Sequence, residues 1–261
     1  MAFRKSLIVT SVLGSVLSLM SAQAVAGVWQ FANHSGSINC VSGCGSTAYG
    51  NSMMFQGSDG SQVEVSAWAN TAGGGNTDLA GASLRDYSHG LGVYNADGDG
   101  QHGVDNSGRF DSVLFSFQGQ EVTLSQIDVT GWGGRSYRDI DISVLAYTGA
   151  GAPGLAGYEY GELASSGWTL VQNSTGPSVA YDGQHYVHNL AATTVKSSYW
   201  LIGALNPAFW SGSSNYIGND YFKIYSLAGT TPPSTVSEPA TLALLMAGLP
   251  LMLRARRRRV M

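Results

Sequence analysis

The chain has 261 residues, of which 44% are hydrophobic and only 11% charged, with a formal net charge of −4. The charge is unevenly spread: between Gly27 and Ser237 six basic residues face 16 acidic ones, a body near −10. Such a body repels phosphate backbones, which excludes nucleic acid as a partner, and it suits divalent cations and solubility outside the cell.

Residues 1–26 carry Arg4 and Lys5, an apolar run from Leu7 to Met20 and the small-x-small exit Ala24-Val25-Ala26. These are the three parts of a secretory signal peptide, for signal peptidase to remove after Ala26. The run is too short to span a bilayer comfortably, which needs about 20 residues. An uncleaved anchor is the weaker alternative.

Residues 27–228 are expected to form one all-β surface domain, poor in Lys and Glu and rich in Gly, Ser, Asn and aromatics. Residues 33–60 are broken by glycines, so no regular period is expected there. Alternation predicts strands at Gln62–Ala69, Gly90–Asn95, Asp111–Phe117, Glu121–Trp132 and Asp139–Tyr147. Further strands are expected at Trp168–Gln172, His185–Leu190, Ser198–Leu205 and Asp220–Leu227. Val113, Phe115 and Phe117 share one face, as do Val63, Val65 and Ala67. Residues 70–77 and 150–157 read as loops. Many short alternating runs between Gly/Asn/Asp turns predict an antiparallel β-sandwich or jelly roll, with helix only in the N-terminal signal and the C-terminal tail.

The cysteines Cys40 and Cys44 stand four residues apart. In an exported chain the default is one local disulfide. A zinc pair is disfavoured because such sites want four ligands.

The segment Asn95-Ala96-Asp97-Gly98-Asp99-Gly100 places side-chain oxygens at every second position and closes on glycine. A loop that wraps calcium begins this way, although Asn106 stands where that pattern wants Glu. Asn95, Asp97 and Asp99, completed through space by Asp105 and Asp111, are the candidate ligands. A plain polar turn is the alternative. Asp139 and Asp141 share a strand face and are the second candidates, with a simply solvated pair as the alternative.

No catalytic motif stands out, and the chain is expected not to be an enzyme. Gly-x-Ser-x-Gly is absent. Glu159 and Glu162 could serve as paired carboxylates but have no supporting pattern. His185 and His188 would face opposite sides of a strand. Aromatic rings are plentiful, and sugars stack on them; Trp132, Trp168 and Trp210 are the candidate carbohydrate contacts. At least half of the larger set, which adds Tyr137, Tyr181, Trp200, Tyr216 and Tyr221, is expected in the core.

Residues 229–237, Gly-Thr-Thr-Pro-Pro-Ser-Thr-Val-Ser, read as a stiff linker. Residues 238–261 follow: Glu238-Pro239, an apolar run over 240–253, and a basic end over 254–259. As a helix that run is about 21 Å long against a hydrocarbon core of about 30 Å, a weak anchor. Its arginines would face the cytoplasm.

The tail from Ser237-Glu238-Pro239-Ala240-Thr241-Leu242 through the terminal arginines resembles a PEP-CTERM sorting signal. Ser237 stands where that family usually has proline. The resemblance implies handling and cleavage by exosortase near Ser237, Glu238 and Pro239. It also implies export from a Gram-negative bacterium, transient anchoring in the inner membrane, and delivery to the cell surface or the extracellular polysaccharide of a biofilm. The body is loosely similar to exosortase-dependent surface proteins at Gly90-Leu91-Gly92-Val93, at Val104 to Asp111 and at Asp139 to Leu145. The resulting expectation is a non-enzymatic surface protein. A lectin-like module is the first alternative and a secreted hydrolase the second.

Overall fold

The structure is a computed structural model that describes residues 24–32, 39–42, 49–72, 77–96, 102–133, 139–177, 183–191 and 194–232. Residues 1–23 and 233–261, on which the signal and sorting-tail expectations fall, lie outside the described residues. So do Asp97, Asp99, Cys44 and the side chain of Cys40. Among the described residues no helix is long and apolar enough to cross a membrane.

Residues 24–232 form one compact unit. Its strands are β1 (Val25–Gln30), β2 (Asn39–Ser42), β3 (Ser52–Gln56), β4 (Gln62–Asn70), β5 (Leu79–Tyr87), β6 (Gly90–Tyr94) and β7 (Val104–Asp105). They continue as β8 (Asp111–Ser116), β9 (Thr123–Gly131), β10 (Ile142–Tyr147), β11 (Trp168–Ser174), β12 (His185–Asn189), β13 (Tyr199–Ala204) and β14 (Tyr221–Thr231). All named strand pairs are antiparallel, in the main order β11-β10-β13-β8-β4-β5-β6-β14-β9-β12.

The all-β antiparallel expectation holds. The two separate sheets of a sandwich or jelly roll do not form, because β5 joins the halves. Its first residues, Leu79–Ala82, pair with β4, and Ser83–Tyr87 pair with β6. The result is one sheet curled into a nearly closed barrel. Side chains stitch the remaining seam between β11 and β12. Gln172 Nε2 donates to the Asn189 carbonyl at 3.1 Å, and Gln172 Oε1 accepts from the Ala191 amide at 2.9 Å.

The core lies where alternation put it. Val63, Val65, Ala67, Val113, Phe115 and Phe117 are all fully buried, while Ser116 on the opposite face is half-buried. Trp29 and Trp200 are also fully buried. Each keeps its indole donor satisfied, Trp29 on Ser61 Oγ at 3.0 Å and Trp200 on the Ser197 carbonyl at 3.1 Å. Leaving a buried indole without such a partner costs about 1–3 kcal/mol.

Four departures from the sequence reading have local causes. Strands β2 and β3 form inside the glycine-broken stretch of residues 33–60, aligned through backbone pairing with β4 rather than by any period of their own. Strand β5 was not expected, because a strand that leaves one half of the sheet for the other does not keep one buried face. Residues 160–166 form a short 3₁₀ helix capped by Glu159 and Glu162, whose carboxylate accepts from the Glu159 amide at 3.0 Å. That pair is therefore a helix cap. Finally, β14 runs to Thr231, so residues 229–231 are strand rather than linker.

Strand β1 pairs along β14, from Val25 opposite Thr231 to Gln30 opposite Ser226. The two ends of the body thus leave from adjacent strands. A cut after Ala26 would remove two residues of β1 and leave Gly27–Gln30 paired with Gly229–Ser226.

Candidate metal centre

Asp139 and Asp141 flank Ile140, whose side chain is fully buried in the core. Strand alternation therefore turns both carboxyls away from it, to a common side. The third member comes from far along the chain. Asp220 precedes β14, and an isolated parallel bridge pairs it with Asp139. Two backbone hydrogen bonds set that bridge: the Asp139 amide donates to the Asn219 carbonyl at 2.9 Å, and the Tyr221 amide to the Asp139 carbonyl at 3.0 Å. One oxygen from each of Asp139, Asp141 and Asp220 then lies within 4.8 Å of the others.

All three are buried, Asp139 at 7% exposure and the other two at 0%. Asp220 is held most firmly. Its Oδ1 accepts from the Asp141 amide at 2.9 Å, and its Oδ2 from the Asn106 side-chain amide at 2.5 Å and the Leu205 amide at 3.2 Å. Asn106 is itself fixed, its Oδ1 accepting from the amides of Gly218 and Asp220, each at 3.0 Å. Asp141 Oδ1 accepts from the Gly176 amide at 2.5 Å, and Asp139 Oδ2 from the Asn219 side-chain amide at 2.9 Å. The other oxygen of each, Asp139 Oδ1 and Asp141 Oδ2, is sealed from solvent with no hydrogen-bond partner; Asn219 Oδ1 is in the same position.

Among the described residues no basic side chain pairs with the three carboxylates. Burial accordingly pushes the Asp141 carboxyl up to about 7, and nearby Asp139 adds to the rise. Asp220 is held well above the usual carboxylate range, first by burial and then by its carboxylate neighbours. Positive charge must enter this cluster as protons or as a metal ion. Three buried aspartates this close, two of them with an unpartnered oxygen, could hold a metal ion. Three mutually equidistant oxygens all lie about 2.4 Å from one cation when they are about 4.2 Å apart, a separation inside the 4.8 Å bound here and within the calcium range of about 2.3–2.6 Å; magnesium needs about 2.0–2.1 Å and a stricter octahedron.

The first-choice calcium residues fare differently. Asn95 and Asp111 do meet, but through Asn95 Nδ2 donating to Asp111 Oδ1 at 2.8 Å. Asp105 is buried in β7, its Oδ1 accepting from the Ser107 amide at 2.9 Å. Asp97 and Asp99 lie outside the described residues.

The three tryptophans also part ways. Trp168 is 2% exposed, inside a second small core with Leu155, Tyr160 and Leu163, and is corrected from sugar contact to core. The segment through residue 166 that folds over it was read only as a loop and untyped sequence. Trp210 is half-buried in a turn, its indole donating to the Ser213 carbonyl at 3.1 Å. Trp132 is half-buried beside Tyr87, and Lys223 Nζ sits 4.4 Å and 3.8 Å from the two ring centroids. His185 and His188 do face opposite sides: His185 is exposed, and His188 is 1% exposed.

No family model matches this chain, and no curated protein matches it.

Proposed function

We propose that this chain is an exported, non-enzymatic surface protein whose β body is locked by a bound calcium ion. The carrying observation is the buried meeting of Asp139, Asp141 and Asp220 with no basic partner among the described residues. Calcium is the choice among metals because the donors are all oxygen and the spacing suits a large hard cation. The outside of the cell supplies it at the required concentration. A role in stability rather than catalysis follows from burial, since a carboxylate sealed from solvent cannot reach a substrate.

Export and sorting complete the proposal. Residues 1–26 are removed as a signal, and the tail around Ser237, Glu238 and Pro239 is processed by an exosortase. The mature body then resides at the cell surface of a Gram-negative bacterium, among extracellular polysaccharide. The paired termini in β1 and β14 suit this order of events, because both tethers would leave from neighbouring strands.

The test is thermal unfolding with calcium and with chelator. Binding to the folded form alone adds about 1.4 kcal/mol at ten times Kd. The melting temperature is expected to rise with calcium and to lose that rise in Asp141→Asn. Identical melts in both media for both proteins would refute the calcium lock.

A second reading, a carbohydrate-binding module, is favoured by one observation: the tyrosine rings of Tyr49 and Tyr94 stack outside the barrel, with Tyr49 52% exposed.

A further inference from the structure

Strands β5 and β6 turn Ala82, Leu84, Leu91 and Val93 into the core, so Tyr87 and Tyr94 point to the outer face of the sheet. There they join a continuous row of six rings. Between centroids, Tyr49 lies 6.1 Å from Tyr94, Tyr94 4.8 Å from His102, and His102 6.2 Å from Tyr87. Tyr87 is then 6.4 Å from Trp132, and Trp132 5.3 Å from His89. None of the six belongs to either hydrophobic core, and every one carries a polar atom. Tyr49 is 52% exposed and the other five are half-buried. Core packing therefore does not account for the row. Rings with an apolar body and a polar tip suit a wet ligand.

Cations hold the row in place. Lys223 is fully buried, with Nζ 3.8 Å from the Tyr87 centroid and 4.4 Å from that of Trp132, and it donates to the His102 carbonyl at 2.7 Å. Gly92 leaves room for that carbonyl, which a Cβ would strike. The Arg85 guanidinium lies 5.3 Å from the Tyr94 centroid. Rings fixed in advance lose little freedom when a ligand settles on them.

The exposed end of the row meets a pocket. Tyr49 forms one wall of a space of about 230 Å³, counting its open mouth, which Gly81, Asn95 and Arg109 also line. That is below the about 300–1,000 Å³ of drug-sized sites and leaves room for one sugar ring.

We infer that the aromatic row and this pocket bind a linear neutral polysaccharide, its successive sugars laid along the rings and one of them at the pocket; this rests on the second reading above, the carbohydrate-binding module. A neutral chain is the class because 16 carboxylates against six basic groups repel a polyanion, and the cations here are engaged with the rings.

The experiment titrates the purified full chain by calorimetry with β-1,4-linked hexamers of glucose, mannose and N-acetylglucosamine, with the dimer of each, and with a galacturonate hexamer. At least one neutral hexamer is expected to bind, about tenfold or more tightly than its dimer and with little dependence on salt. Trp132→Ala and Tyr49→Ala should each weaken it about two- to tenfold. Tyr49→Ala, at a largely exposed ring, should leave the melting temperature unchanged, which keeps the test decisive if Trp132→Ala does not fold. A hexamer held no better than its dimer, or an affinity unchanged in Tyr49→Ala, overturns the row and leaves the carbohydrate reading standing. Binding of the galacturonate hexamer alone overturns the neutral class and also leaves that reading standing. Binding of none of these sugars overturns both.

Discussion

Raising the pH of the metal-free protein should expose the aspartate cluster through its effect on stability. Asp141 is raised from its ordinary 3.8 to about 7. The folded state therefore keeps a proton that the unfolded state loses near 3.8. Stability falls as pH climbs through that window, by up to about 1.4 kcal/mol per pH unit and at most about 4 kcal/mol in all. Asp220 acts in the same direction. His188 works against them: burial lowers it from 6.5 to about 4, so the unfolded state holds the extra proton between those values. Its contribution rises with pH by at most about 3 kcal/mol and is complete near pH 6.5. In chelator the wild type should therefore lose stability as pH rises from about 4.5 to 7, because two carboxyls that keep their protons outweigh the one histidine. Asp141→Asn removes one falling component, leaving Asp220 and His188 opposed, so its profile should fall less steeply than the wild type's. The two curves should cross: in chelator near pH 7.5 the variant is the more stable, and with calcium it is the less stable. Urea unfolding at several pH values, with chelator and with calcium, reads this directly. A wild-type profile that keeps rising from about pH 6 to 8 in chelator, or parallel profiles for the two proteins, would refute the reasoning.

Three further outcomes are expected. Asp59 accepts from the Ser61 amide at 3.1 Å, the Ser61 hydroxyl at 2.5 Å and Thr231 Oγ1 at 2.9 Å, tying the β3–β4 turn to the end of β14; Asp59→Ala should cost about 1–3 kcal/mol in urea unfolding, and a change below about 0.5 kcal/mol would count against that tie. Intact mass of surface-extracted protein should lack the residues after about Pro239, and recovery of the Arg256–Arg259 end would sink the sorting proposal. Thiol labelling of the native protein should find Cys40 and Cys44 oxidised until reductant is added, whereas two reactive thiols beforehand would exclude their disulfide.

How much of this was legible in the sequence depended on whether the cause was local. Strands β4, β8, β10 and β13 keep one face buried along their length, so Val63, Val65, Val113 and Phe115 announce themselves by alternation. Strand β5 changes partners midway, and its Leu-Ala-Gly-Ala-Ser run keeps no period to read. The cluster was half legible. Asp139 and Asp141 alternate around a core isoleucine, a short-range pattern. Asp220 lies 79 residues from Asp141, and only the parallel bridge brings it there. In sequence Asp220 reads only as the start of a strand, with nothing to tie it to Asp139. Of the Asn95–Gly100 segment only Asn95 and Ala96 are described, with Asn95 donating to Asp111. Trp168 looked available because nothing in residues 150–166 signals that they fold over it.

The most direct test of the calcium lock is a calorimetric titration of the chelator-stripped protein with calcium near neutral pH. One site is expected with a Kd of about 10⁻³ M or tighter, the range of extracellular calcium modules. Asp141→Asn and Asp220→Asn should each weaken it at least about tenfold, while Asp97→Asn with Asp99→Asn leaves it unchanged. No heat of binding up to about 10 mM calcium, or a site lost in the Asp97/Asp99 variant and kept in the other two, would contradict the account.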